Sequence, residues 1–223
     1  TNEDVEGKTC LVSGSGNVAL HAIRKLTELG GRVVTASDSD GFVHDPDGIR
    51  GDRLAFLVDL KENRRGRISE YAEEFGVDYH EGSKPWKVPG DVALPCATQN
   101  EITVDDARCL IENGIRAVVE GANMPTEQNG IHAFVDAKVL FAPSKAANAG
   151  GVALSGLEMS QNSLRMTWTR EELDDHLRRI MRRIHDACLE YGEARDGTPD
   201  YVRGANIAGF VKVADAMVAQ GAV

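Results

Sequence analysis

An apolar run, Thr9 to Val12, breaks into Gly14-Ser15-Gly16-Asn17-Val18-Ala19 and passes at once into a helical pattern. This is the feature that most constrains the fold. A strand that turns on glycine straight into a helix leaves the N–H groups of the first helical turn without partners, facing whatever lies above the strand end. Gly14 permits the sharp turn out of the strand. Gly16 has no side chain, so backbone can approach a ligand closely. Ala19 stands where a third glycine often stands and keeps the helix tight against the sheet. The arrangement is one that cradles the pyrophosphate of a dinucleotide. The same letters also describe an ordinary strand–turn–helix connection, so the surroundings decide. Val18, Ala22, Ile23, Leu26 and Leu29 are spaced for one buried helix face, and Gly30-Gly31 ends the helix. A second strand is predicted over Arg32 to Ala36, followed by Ser37-Asp38. The result is a βαβ start in which Asp38 follows Gly14 at about the spacing of an acid that accepts a ribose 2′-hydroxyl.

Composition narrows the class. The 223 residues suit one large domain or one and a half, with a substantial core, and the net charge of −10 argues against a nucleic-acid surface, which needs a basic face. Cys10, Cys96, Cys109 and Cys188 are scattered without metal-ligand spacing. They read as reduced thiols of a cytoplasmic protein, with no metal site expected. No apolar run is long enough to span a membrane, and the polar start TNEDVEGKT is neither a signal nor a transit peptide. The six histidines show no pairing that suggests catalysis.

Strands and helices alternate along the first two thirds of the chain. Strands are predicted at 42–44, 77–80, 91–97, 117–120 and 139–142, and helices at 51–63, 67–75, 104–113 and 126–136. The fold class is α/β: a Rossmann-like open, mostly parallel sheet with helices on both faces, followed by C-terminal helices. A dinucleotide-binding core is placed over 1–155 and a helical segment over 156–223. In the latter, Leu173, Leu177, Ile180, Met181, Ile184, Cys188 and Tyr191 form an apolar stripe. Residues 192–204 read as a loop and Ile207 to Ala219 as a final helix. Loops 13–17, 95–100, 121–125 and 143–151 each follow a predicted strand. In an open parallel sheet that places them at one ligand-binding edge.

The motifs SGSGNVA at 13–19, ALPCATQNEI at 93–102, VEGANMP at 119–125, PSKAANAGGVALSGLEMSQN at 143–162 and DYVRGANIAGFVKVADAMVAQG at 200–221 occur together. In that combination the chain resembles the coenzyme-binding, C-terminal domain of the bacterial hexameric-type, NADP-specific glutamate dehydrogenases. The resemblance runs along nearly the whole chain. It implies hydride transfer between a nicotinamide and the α-carbon of glutamate, giving 2-oxoglutarate and ammonia, in a homo-hexamer. It also implies that the catalytic lysines, the catalytic aspartate and the α-carboxylate ligands lie in a preceding substrate domain. No catalytic residue is therefore expected in this chain, which should not be active alone; Lys145 is assigned only to the loop framing the cleft.

Carried over by position, Gly14, Ser15, Gly16, Asn17 and Val18 form the cofactor turn, with Asn17 a direct ligand. Ala97, Thr98 and Asn123 flank the ribose and nicotinamide. Ser155 bonds the side-chain carboxylate of glutamate and Val152 lines the same pocket. On the bare sequence, Ser155 reads rather as a small residue that lets helices pack closely, and it is the resemblance that reverses this. The cofactor choice turns on Asp38, which favours NAD by bonding a 2′-hydroxyl and repelling a 2′-phosphate. The stretch ASDSDG and Lys61, with Ser37 and Ser39 as donors, resembles the NADP-using members instead. Asp40 departs from the serine expected there. NADP is favoured, with NAD possible. Lys61 on its own reads as a solvated lysine in a charged run. Two alternatives stand: a domain of a related NAD-dependent amino-acid dehydrogenase, or a nucleotide-binding module without chemistry.

Overall fold

The computed structural model describes residues 4–193 and 199–221. The chain divides into two compact units, Thr1–Phe141 and Ala142–Val223.

In the first unit, β1 (Thr9–Val12) is followed by α1 (Asn17–Glu28) and β2 (Arg32–Val33). Among the described residues these strands join β6 (Val92–Leu94), β7 (Ala117–Val119) and β8 (Leu140–Ala142) in a five-stranded sheet of order β2-β1-β6-β7-β8. β1 runs parallel to β2 on one side and to β6 on the other, and β6 runs parallel to β7. Strand order therefore reverses between β1 and β6, which opens a crevice at their carboxyl ends. β7 and, after Thr9, β1 are apolar, as strands covered on both faces must be.

The strand predicted over Arg32 to Ala36 is interrupted. After β2 the chain leaves the parallel sheet, and β3 (Thr35–Ser37) pairs antiparallel with β4 (Gly41–His44), which pairs antiparallel with β5 (Asp78–Glu81). The Thr35 hydroxyl fills the gap this leaves beside β1. It accepts from the Val12 N–H at 2.9 Å and donates to the Val12 carbonyl at 3.0 Å. Buried Asp45 closes this region by accepting from the Tyr71 hydroxyl at 2.6 Å and from the Arg53 guanidinium. Burial, then the bond to Asp45, pushes the Tyr71 hydroxyl above its usual range.

The face of α1 is narrower than its apolar spacing suggests. Ala19, Leu20 and Ile23 are buried, whereas Val18 and Leu29 are exposed. Both exposed residues sit at helix ends, Val18 where the chain turns up over the sheet edge. The helix predicted over 51–63 is α2 (Asp52–Val58), continued by a π-helical turn over Asp59–Arg64 that carries Lys61. The next helix is α3 (Ile68–Phe75). Further on, α4 (Val104–Glu112) starts on a capping box. Thr103 Oγ1 accepts from the Asp106 N–H at 3.3 Å, and Asp106 accepts from the Thr103 N–H at 3.0 Å. Helix α5 is Gln128–Asp136.

In the second unit, helix begins at α6 (Ser144–Ala147) and α7 (Ala149–Leu164), ahead of the expected Gly156. The apolar stripe lies on α8 (Arg170–Tyr191), which packs against α7 and α9 (Tyr201–Ala219). Helix α9 starts six residues before the expected Ile207. Asp200 caps it by accepting from the Arg203 N–H at 2.9 Å. Residues 201–204 are therefore helical rather than loop; residues 194–198 of the predicted loop lie outside the described residues. Glycine at 204 does not stop this helix, because it is where α9 crosses closest to α8: a Cβ there would collide with the Cys188 carbonyl.

Among the described residues, no helix is long and apolar enough to cross a membrane, and no cluster of three metal-ligating side chains occurs.

Candidate functional site

The turn after β1 is built for close approach. Gly14 has φ +80°, and a Cβ there would lie 3.0 Å from the Cys96 carbonyl and 3.1 Å from Ala97 Cα. A side chain would thus be strained and would also wedge apart the loops that follow β1 and β6. Around Gly16 nothing comes within 4 Å of a built Cβ, so that position faces open space. Helix α1 begins there with no side-chain cap and no acid in its first turn. Uncapped N–H groups with a partial positive charge can attract an anion such as a phosphate. Asn17 and Val18 are exposed on this edge, while Ser15 is buried.

Three further loops frame the first unit's edge. Ala97 and Thr98 are exposed on the loop after β6, and Asn123 is exposed on the loop after β7. These two loops are zipped together: the Asn100 N–H donates to the Met124 carbonyl at 3.0 Å and the Ile102 N–H to the Pro125 carbonyl at 2.8 Å. Two buried carboxylates lie behind them. Glu101 accepts from the Ala97 N–H at 3.0 Å, and Glu120 accepts from the Thr126 N–H at 3.2 Å. Burial pushes the Glu101 carboxyl up, against bonds from Ser13, Ala97 and Thr98 that favour its ionised form. The adjacent Cys96 thiol is pushed up to about 12, first by burial and then by the Glu101 charge, so it is no nucleophile near neutrality.

The loop after β3 gathers the residues expected from sequence at a 2′-phosphate. Ser37 is buried, and its Oγ accepts from the Gly14 N–H at 2.7 Å, locking this loop to the glycine turn. The Asp38 carboxylate is already engaged. It accepts from the Asp40 N–H at 3.0 Å and the Ile68 N–H at 2.9 Å, and lies 3.6 Å from Lys61 Nζ. Lys61 donates to the Gly66 carbonyl at 2.8 Å and its side chain is only 17% exposed, so it is an anchored cation rather than a solvated one. Arg67 joins this group only through the tertiary fold. Its guanidinium donates to Ser39 Oγ at 2.9 Å and lies 3.3 Å from Asp40. Ser39 in turn donates to Asp40 at 3.1 Å. Asp40 is therefore answered by Arg67, as Asp38 is by Lys61. Nothing in the local sequence flags Arg67, since it sits outside the charged run and meets Ser39 only because α3 starts beside β3. Ser13, Glu101 and Glu120 carry no sequence signal for a similar reason: a buried polar side chain in a loop has no periodicity.

In the second unit, Val152 and Ser155 are exposed on the first turns of α7, one turn apart. Lys145 donates to Asn206 Oδ1.

A family model described as Glutamate/Leucine/Phenylalanine/Valine dehydrogenase matches residues 1–221. The chain is 59% identical over 219 residues to an NAD(P)-specific glutamate dehydrogenase of Xylanibacter ruminicola, covering 98% of this chain and 49% of that protein. It is 59% identical over 218 residues to the NADP-specific glutamate dehydrogenase of Salmonella typhimurium, covering 98% of this chain and 48% of that protein. The solved structure of Plasmodium falciparum glutamate dehydrogenase 2 superposes with a TM-score of 0.94 at 48% identity, over 100% of this chain and 49% of that one. The chain thus spans about half the length of the curated relatives it matches.

Proposed function

The chain belongs to the Glutamate/Leucine/Phenylalanine/Valine dehydrogenase family, and on that premise we propose that it is the coenzyme-binding half of a glutamate dehydrogenase. The reaction is L-glutamate, NADP and water to 2-oxoglutarate, ammonia and NADPH. The observation that carries this reading is the convergence of the uncapped α1 start, the β6 and β7 loops and the anchored Lys61 on one unit, in a chain whose relatives are named for that activity.

Bound here, the coenzyme supplies the hydride acceptor, and this chain's residues bind and orient it. Gly14, Ser15, Gly16, Asn17 and Val18 hold the pyrophosphate. Ala97, Thr98 and Asn123 border the ribose and nicotinamide. Ser37, Ser39, Lys61 and Arg67 surround the adenine-ribose 2′ position beside Asp38. Val152 and Ser155 serve the substrate, with Ser155 donating to its side-chain carboxylate and Val152 shielding that contact. A homo-hexameric whole enzyme in the cytoplasm belongs to the same proposal. NADP preference follows because Lys61 and Arg67 offset the two carboxylates that would repel a 2′-phosphate.

Paired calorimetric titrations of the chain with NADP and NAD test this. NADP should bind more tightly by about tenfold or more, the worth of one charge-assisted bond. Equal affinities would overturn the NADP preference, and binding of neither would overturn the dinucleotide reading.

A further inference from the structure

Ala97, Thr98, Gln99 and Asn100 are all exposed, so packing does not hold the loop that carries them. Its residue of record is Glu101, 8% exposed at the loop's end. We propose that Glu101 is a positioning residue for the coenzyme: its buried carboxylate collects the Ala97 N–H, the Thr98 N–H and the Ser13 hydroxyl, and so shapes the wall that the nicotinamide half lies against. The inference rests on the dinucleotide reading above and adds to it a residue that touches no ligand.

The connections are specific. Ser13 Oγ accepts from the Cys96 N–H at 2.9 Å, which leaves its own proton for the Glu101 carboxylate. Ser13 begins the glycine turn, so one carboxylate joins the loops after β1 and β6. The Ala97 N–H lies 3.0 Å from Glu101 Oε1. The Glu101 backbone is pinned as well, its carbonyl accepting from Lys84 Nζ at 2.7 Å, while the same ammonium reaches Asp106 at 2.8 Å. The charged and titratable groups facing this carboxylate are thus Lys84 and the Cys96 thiol, with Asp106 beyond the lysine. Three donors need an acceptor-only group. A glutamine of the same shape would turn an amide NH₂ toward at least one of them.

The test is Glu101→Gln in the full chain, titrated by calorimetry with NADP and with adenosine 2′,5′-bisphosphate, which has the adenine, ribose and 2′-phosphate but no nicotinamide. The variant should lose about tenfold in NADP affinity, the worth of one charge-assisted hydrogen bond, and keep its bisphosphate affinity within about twofold. Equal losses for both ligands would show a merely structural role and overturn the proposal, as would no loss for either. A wild-type chain that binds neither would overturn the dinucleotide reading and this inference with it; one that binds both beside an unchanged variant would overturn this inference alone. If the glutamine variant fails to fold, Glu101→Asp keeps the charge but withdraws it by one methylene. It should show a smaller loss confined to NADP, and a loss common to both ligands would again overturn the proposal.

Discussion

Asp38 stands at the end of β3, where an acid would meet a ribose 2′-hydroxyl, yet its carboxylate is held by the N–H groups of Asp40 and Ile68 and faces Lys61 at 3.6 Å. Its charge is therefore partly cancelled where a 2′-phosphate would lie. Replacing Lys61 by alanine removes that cation and leaves the Asp38 charge unanswered, though still held by the two N–H groups. Lys61→Ala should weaken NADP by about ten- to a hundredfold, the range of a hydrogen bond to a charged group, with NAD little changed. Arg67→Ala, which removes the partner of Ser39 and Asp40, should act in the same direction. Equal losses of NADP and NAD affinity in fluorescence titrations would take both residues out of the 2′-phosphate site. Asp38, Ser39 and Lys61 are legible in the sequence by position and resemblance. That Asp38 is committed to Ile68 is not, because the contact joins residues 30 apart in sequence. The place of Arg67 beside Ser39 is likewise a tertiary fact.

Elements with a strong period or a stop signal were legible, and those shaped by a neighbour were not. β1, α1, α3 and α4 lie close to where hydrophobic spacing and glycine stops put them. The strand from Arg32 was expected to run on unbroken, but β3 turns to a different sheet and leaves Thr35 to complete the edge of β1 by its side chain. Glycine and proline near 200 suggest a loop and a later start for α9; Gly204 is instead a contact point inside the helix. Two glycines of α9 separate these roles. Gly204→Ala drives a methyl into the Cys188 carbonyl and should destabilise the chain by about 1–3 kcal/mol. Gly209→Ala meets nothing within 4 Å, and should stabilise by about 0.5–1 kcal/mol through lower backbone entropy in the unfolded chain. Scanning calorimetry reads both, at about 2–4 °C per kcal/mol for a chain of this size. A neutral Gly204→Ala would mean that α8 and α9 do not approach as described.

The division of the chain into Thr1–Phe141 and Ala142–Val223 puts every proposed coenzyme ligand, Gly14 through Asn123, in the first unit, and Val152 and Ser155 in the second. A ligand that binds the folded form alone stabilises it by RT ln(1 + [L]/Kd), about 2.7 kcal/mol at a hundred times Kd. If the sites are distributed as proposed, that gain belongs to the first unit. Amide hydrogen exchange with saturating NADP should then slow in the loops after β1, β6 and β7 and in the strands that carry them. The interiors of α8 and α9, which belong to the second unit, should exchange as they do without ligand. The expectation depends on stability being local, with each cooperative unit opening at its own free energy. Equal slowing in α8 and α9 would mean that coenzyme binding is coupled across both units, and the assignment of the coenzyme to the first unit alone would fail. Slowing in neither would leave the uncapped start of α1 as an ordinary helix end.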